Sequence, residues 1–160
     1  MSGVMCVEHY GVPVSQDDGS LVIFAEAHED LIAYRPVAII AARDTSDNNQ
    51  DGSNDNTGYA KTRTPITLAV PHWKGACQKA VKSGEIGMFL VGGAGKMMVN
   101  NVTSAIVGGT TFLKVLNTGE IGQGDGTTQT VDSIALACED QDSATDSAIN
   151  VQFLGVAAQV

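Results

Sequence analysis

Short apolar runs separated by turn residues fill most of the chain, and their spacing predicts strands rather than helices. Leu21-Val-Ile-Phe24 opens a strand directly after the turn Gln16-Asp17-Asp18-Gly19. Leu31 to Ala42 is apolar and β-branched but is interrupted by Arg35-Pro36. Proline brings no N–H to a ladder, so this stretch reads as an edge strand or as two strands with a bend. Lys61 to Val70 alternates, with Ile66, Leu68 and Val70 on one face. From Gly84 onward the pattern is strand and turn throughout. Gly84 to Val91 runs into Gly92-Gly-Ala-Gly95, read as a hairpin turn, and Lys96 to Val99 follows. Val102 to Val107, the turn Gly108-Gly109, Thr110 to Leu116, the turn at Asn117-Thr-Gly119, Thr130 to Cys138 and Ala148 to Val156 complete the series.

Two stretches depart from this rhythm. His72 to Lys82 is the one helix candidate, because Ala76, Cys77, Ala80 and Val81 could share a helical face ending at Ser83-Gly84; a wrapped extended segment is the alternative. Arg43 to Gly58 holds no strongly apolar residue and cannot contribute to a core, so it reads as a long exposed loop. The expected fold is therefore all-β, a small barrel or sandwich with a short helix as an option. Residues 1–19 form an extended arm or irregular first strand. Residues 20–160 form a single β-rich domain with a long polar loop at 43–58.

Composition narrows the function. Net charge is −9, from 9 basic and 18 acidic residues, and such a surface repels phosphate, so neither nucleic acid nor an anionic membrane is an expected partner. All nine basic residues lie between Arg35 and Lys114, whereas from Val115 on the chain carries only acids: Glu120, Asp125, Asp132, Glu139, Asp140, Asp142 and Asp146. The first fourteen residues contain no Lys or Arg and no long apolar run, and no stretch reaches the length of a membrane span. Synthesis in a cytoplasm and a soluble product are expected. Cys6, Cys77 and Cys138 form no C-x-x-C pair and read as reduced thiols rather than a zinc site or a disulfide framework.

Candidate chemistry is sparse. Asp47, Asn49, Asp51 and Asp55, with Gly52 at the sharp turn, place oxygen ligands at the alternate spacing of a calcium loop. The twelfth position is Gly58 where a bidentate Glu is needed, and a solvated loop is the plainer reading. Gly92-Gly-Ala-Gly-Lys96 has the look of a phosphate loop but continues into Met97 instead of Ser or Thr. His72 and Cys77 are close in sequence, but a thiol and its base usually meet from separate segments with a third group orienting the base. His9 and His28 stand alone, and Asn101-Val-Thr103 matches a glycosylation sequon without a secretory signal. Trp73 and Phe112 are anchors for core packing or for an interface. No catalytic, cofactor-binding or metal-ligating residues are assigned, and no enzyme is expected.

From Cys77 on, the order of features resembles the small capsid decoration, or cement, proteins of tailed phages. The glycine-preceded strand Gly84-Glu-Ile-Gly-Met-Phe-Leu-Val91, the strand Ser133-Ile-Ala-Leu-Ala-Cys138 and the closing Ala148-Ile-Asn-Val-Gln-Phe-Leu-Gly155 carry the likeness. The resemblance covers roughly the C-terminal half and implies a β-barrel on the outside of the phage head. It implies a homotrimer that clamps neighbouring major capsid proteins, with multivalency strengthening a weak single contact. It also implies an N-terminal arm, here Met1 to Val14, that adds to a capsid sheet. The alternative is another virion module, such as a head-fibre base, a tail-tube domain or a tail-fibre domain.

Overall fold

The computed structural model describes residues 14–27, 29–40, 60–63, 72–102, 104–115, 121–155 and 157–158. The fold is all-β, with eleven strands in chain order: β1 Val14–Ser15, β2 Leu21–Ala27, β3 Pro36–Ile40, β4 Ala60–Arg63, β5 His72–Cys77, β6 Ile86–Val99, β7 Phe112–Val115, β8 Gly122–Gly126, β9 Ala135–Ala137, β10 Ser147–Leu154 and β11 Ala157–Ala158.

Strand pairing closes two rings that share β6. The first runs β2-β4-β3-β5-β6 and returns to β2. The second runs β6-β10-β9-β7-β8 and returns to β6 through one parallel pair, Val99 opposite Gly122. Closing a sheet on itself removes exposed strand edges, which a small protein with few aromatic residues otherwise has to cover. Each ring encloses its own core. Ile23, Ala25, Ala27, Leu31, Val37, Ile39, Cys77, Phe89 and Val91 fill the first. Met97, Val99, Ile106, Leu113, Val115, Ile134, Ile149, Val151 and Phe153 are the larger residues of the second. Val22, Ala76 and Leu90 belong to the walls of the first barrel but pack into the second core, and Phe24 leans on it, so the barrels meet through buried apolar surface.

The 14-residue strand β6 serves both cores because it changes phase midway. In its first half the odd residues Phe89 and Val91 face the first core while Leu90 faces the second. In its second half the odd residues Met97 and Val99 face the second core. The switch falls across Gly92–Gly95, where Gly93 adopts φ 98°, a conformation L side chains rarely take. A Cβ at Gly93 would also lie 3.0 Å from the Ser20 backbone. The hairpin turn expected at 92–95 is thus incorrect. These glycines sit inside a continuous strand, where they permit a bend at a barrel corner.

Residues 72–77 form β5, which overturns the helical option for 72–82. Gly75 and Cys77 are buried toward the first core, Ala76 is buried against the second, and both faces are covered as in an interior strand. A Cβ on Gly75 would collide with the Leu90 carbonyl, so this position requires glycine for close approach of β6. β3 starts at Pro36 and is flanked by β4 and β5, so it is not the edge strand considered above; proline occupies the first strand position, where its missing N–H costs least. The turn at Gln16–Gly19 is present and joins β1 to β2 as a hairpin. The turn at Gly108–Gly109 is also present, with Gly109 at φ 74°. Residues 1–13, most of the expected arm, and the loop 43–58 lie outside the described residues.

Candidate interaction surface

The first barrel wall splays at the seam between β5 and β6. Only Ala76–Leu90 and Cys77–Phe89 pair across it. At one end β11 adds itself to β5, with Ala157 opposite Trp73 and Ala158 opposite His72. At the other end the chain leaves β5 after Cys77 and turns away, so that Val81 exchanges backbone hydrogen bonds with Leu31. This leaves a slot of roughly 330 Å³ lined by Gln78, Lys79, Val81, Ile86, Gly87 and Met88. Ile86 and Met88 are 43% and 48% exposed, while the alternate residues Gly87 and Phe89 are buried.

The slot is framed by hydrogen bonds. The Gln78 amide donates to the Lys96 carbonyl at 3.1 Å and accepts from the Lys96 N–H at 2.9 Å, replacing a strand neighbour with a side chain. Below, the turn at 82–85 is closed by Glu85 N–H to Lys82 C=O. Asp30 holds that turn, accepting from Ser83 N–H at 2.9 Å and from Lys82 Nζ at 3.1 Å. The Ser83 bond, then Lys82, lowers the Asp30 carboxyl below its usual range. Lys82 N–H donates to Glu85 at 3.2 Å. Both carboxylates beside the slot are therefore engaged, whereas Lys79 on its rim has no carboxylate partner among the described residues.

A second polar cluster fastens the outside of the other barrel. The chain between β8 and β9 crosses over β7, and Asp125 anchors it. Lys114 Nζ lies 2.7 Å from Asp125 Oδ1, while the Thr130 and Ser133 hydroxyls donate to Oδ2 at 2.5 and 3.0 Å. Burial pushes the Asp125 carboxyl up, but Lys114 and the two hydroxyls outweigh it, and the net position is below the usual carboxylate value. Every oxygen of this carboxylate is occupied, so the cluster is a staple rather than a reactive centre. Nearby, Asn100 donates to Asp146 at 2.9 Å and Gln141 bonds the Ser147 hydroxyl.

The chemistry weighed from sequence does not assemble. Cys77 is buried, its thiol donates to the Ile32 carbonyl at 3.5 Å, and burial raises its pKa. It sits at the opposite end of β5 from His72, roughly 16 Å along an extended strand. Cys138 is exposed. Gly92 to Lys96 is strand interior, not a phosphate cradle. Trp73 is half-buried against the first core, and Phe112 is half-buried in β7. Asp47, Asn49, Asp51, Asp55, His9 and His28 lie outside the described residues; among the described ones no group of three or more His, Cys, Asp or Glu could hold a metal ion. The slot leaves little trace in the sequence. Its only signal is that Ile86 and Met88 alternate with Gly87 and Phe89, which shows two faces without saying which one is outside.

No protein-family model matches the chain, and no curated protein matches it. Among solved structures it is similar to the head fiber gp8.5 N base of bacteriophage phi29, with 14% identity over 88% of this chain and 99% of that one, at a TM-score of 0.45.

Proposed function

We propose that this chain is a structural component of a tailed-phage virion, seated on the head by protein–protein contact and carrying out no chemistry. The observation that carries the reading is the slot: a barrel wall that exposes Ile86 and Met88 around an apolar cleft. Exposed apolar surface rimmed by polar groups marks contact sites. The net charge of −9 favours a protein partner over nucleic acid. The likeness of the C-terminal half to capsid decoration proteins supplies the phage context.

The role has two forms. A decoration protein clamps major capsid proteins as a homotrimer, many copies to a head. A head-fibre base, the kind of protein named for the phi29 structure, seats on the head and carries a fibre outward. Co-sedimentation of the purified chain with expanded and unexpanded heads of its phage tests the reading. Saturable binding to expanded heads is expected, and the copy number separates cement from fibre base. A folded chain that sediments with neither kind of head sinks the head-bound reading.

A further inference from the structure

We infer that the slot is a strand-acceptor site: the partner protein inserts an extended segment that pairs with β6 at Ile86–Met88. The inference rests on the head-bound reading above and says how the contact is made.

Backbone phase is the first argument. Ala27 N–H donates to the Glu85 carbonyl at 2.9 Å, and Ala25 is opposite Gly87. In an antiparallel pair the residues that exchange hydrogen bonds alternate, so the Glu85 carbonyl and the Gly87 backbone groups aim at β2. Ile86 and Met88 then aim theirs the other way, into the slot, where β5 has already ended. Further along, the same side of β6 is satisfied. Leu90 lies opposite Ala76, Lys96 bonds the Gln78 side chain, and Met98 N–H donates to Tyr34 C=O at 2.7 Å. Beyond the last β5 pair, Cys77–Phe89, no strand among the described residues is paired with Ile86 or Met88 on that side.

Shape and charge are the second argument. The chain itself shows that this seam accepts a short strand, because β11 occupies its other end. Val81, Ile86 and Met88 give the open end apolar walls, while the cation on the rim is Lys79. With Asp30 and Glu85 engaged by the 82–85 turn, Lys79 is left to complement a carboxylate. The occupant that fits is an extended segment with alternating apolar side chains and an acidic residue at its edge. Main-chain bonds supply the affinity and the flanking pockets the selectivity.

Proline scanning of the acceptor edge separates this from a side-chain contact. Met88→Pro removes an N–H that β2 does not use, and edge positions tolerate proline. Met88→Ala keeps the N–H. Binding to heads lacking this protein is measured by co-sedimentation, with circular dichroism confirming the fold. Met88→Pro is expected to bind about tenfold more weakly than Met88→Ala. Lys79→Glu should weaken binding severalfold and flatten its salt dependence. Amide exchange provides the second readout, on wild type: Ile86 and Met88 exchange fast in the free chain and become protected on heads, while Gly87 is protected in both. Equal binding by Met88→Pro and Met88→Ala, with unchanged exchange on heads, overturns strand addition while leaving head binding intact. Failure of wild type to bind heads overturns the head-bound reading and this inference with it. Protection of the same amides in free chain at high concentration, lost in Met88→Pro, would assign the slot to a second copy and overturn a separate partner.

Discussion

The two barrels share a strand but are sealed by different means. Among the described residues, the buried polar side chains Asn100, Thr111, Ser133 and Gln141 all belong to the second barrel or its loops, which is closed by hydrogen bonds and by the Lys114–Asp125 pair. The first has no buried polar side chain among the described residues, and Val81 folds over Gly87 at its mouth. Hydrogen-bonded seals are directional; a seal of side chains leaves a strand edge open where the wall splays. The candidate contact site lies on the first barrel, where β5 stops short of the start of β6.

The severest test of the comparison is whether the barrels are one cooperative unit. Phe89→Ala and Phe153→Ala each empty the centre of one core and should cost about 3–5 kcal/mol. If the shared strand couples the cores, Trp73 fluorescence and far-UV circular dichroism will report one coincident unfolding transition in both variants; separate transitions would show two independent barrels. Next in size is the phase switch. Gly93→Ala forces a side chain to φ 98° against Ser20 and should cost about 2 kcal/mol by denaturant unfolding. Gly109→Ala, at φ 74° in an open turn with no heavy atom near its Cβ, should cost about 1 kcal/mol.

Acid should distinguish the two seals. Asp125 has its folded pKa below the ordinary value of 3.8, so its contribution is complete above about pH 4 and is lost as pH falls through the folded value. Asp125→Asn should lower stability by about 1–2 kcal/mol at neutral pH, discounted for the partly exposed Lys114, and should flatten the decline between pH 4 and 2. Thermal melts across that range check it; an unchanged acid limb would remove the staple from the account. The smallest effect is chemical. Cys138 should react with a thiol reagent in the native protein, while Cys77 should react only on unfolding, as read by mass spectrometry of labelled peptides. Native labelling of Cys77 would mean that the first barrel opens.

Alternation made most of the described strands legible. Leu21–Phe24, the β-strand at 112–115 and the closing run ending near Leu154 follow from local pattern because each has one buried face. Gly92 to Gly95 was not legible. Clustered glycines signal a turn locally, whereas here they answer to Ser20, Leu21 and Leu90, residues the chain folds against them. The helical option at 72–82 failed for a related reason: Gly75 is required by the Leu90 carbonyl, and Ala76 and Cys77 face different cores. The slot depends on where β5 stops relative to β6, and that register is set by distant pairing that no short window of sequence contains.

The shared strand also imposes an order on synthesis. As the chain emerges from the ribosome, every strand of the first ring is complete once β6 has appeared, so that ring can close early. The second half of β6, with Met97 and Val99, must wait for β10. During that interval a nascent chain carries a half-paired apolar strand projecting from a finished barrel, the kind of edge that recruits other chains. Lys96 interrupts that stretch with a charge, and the glycines beside it dilute its β propensity. The features that let one strand turn between two cores also serve to keep it soluble until its second partner arrives.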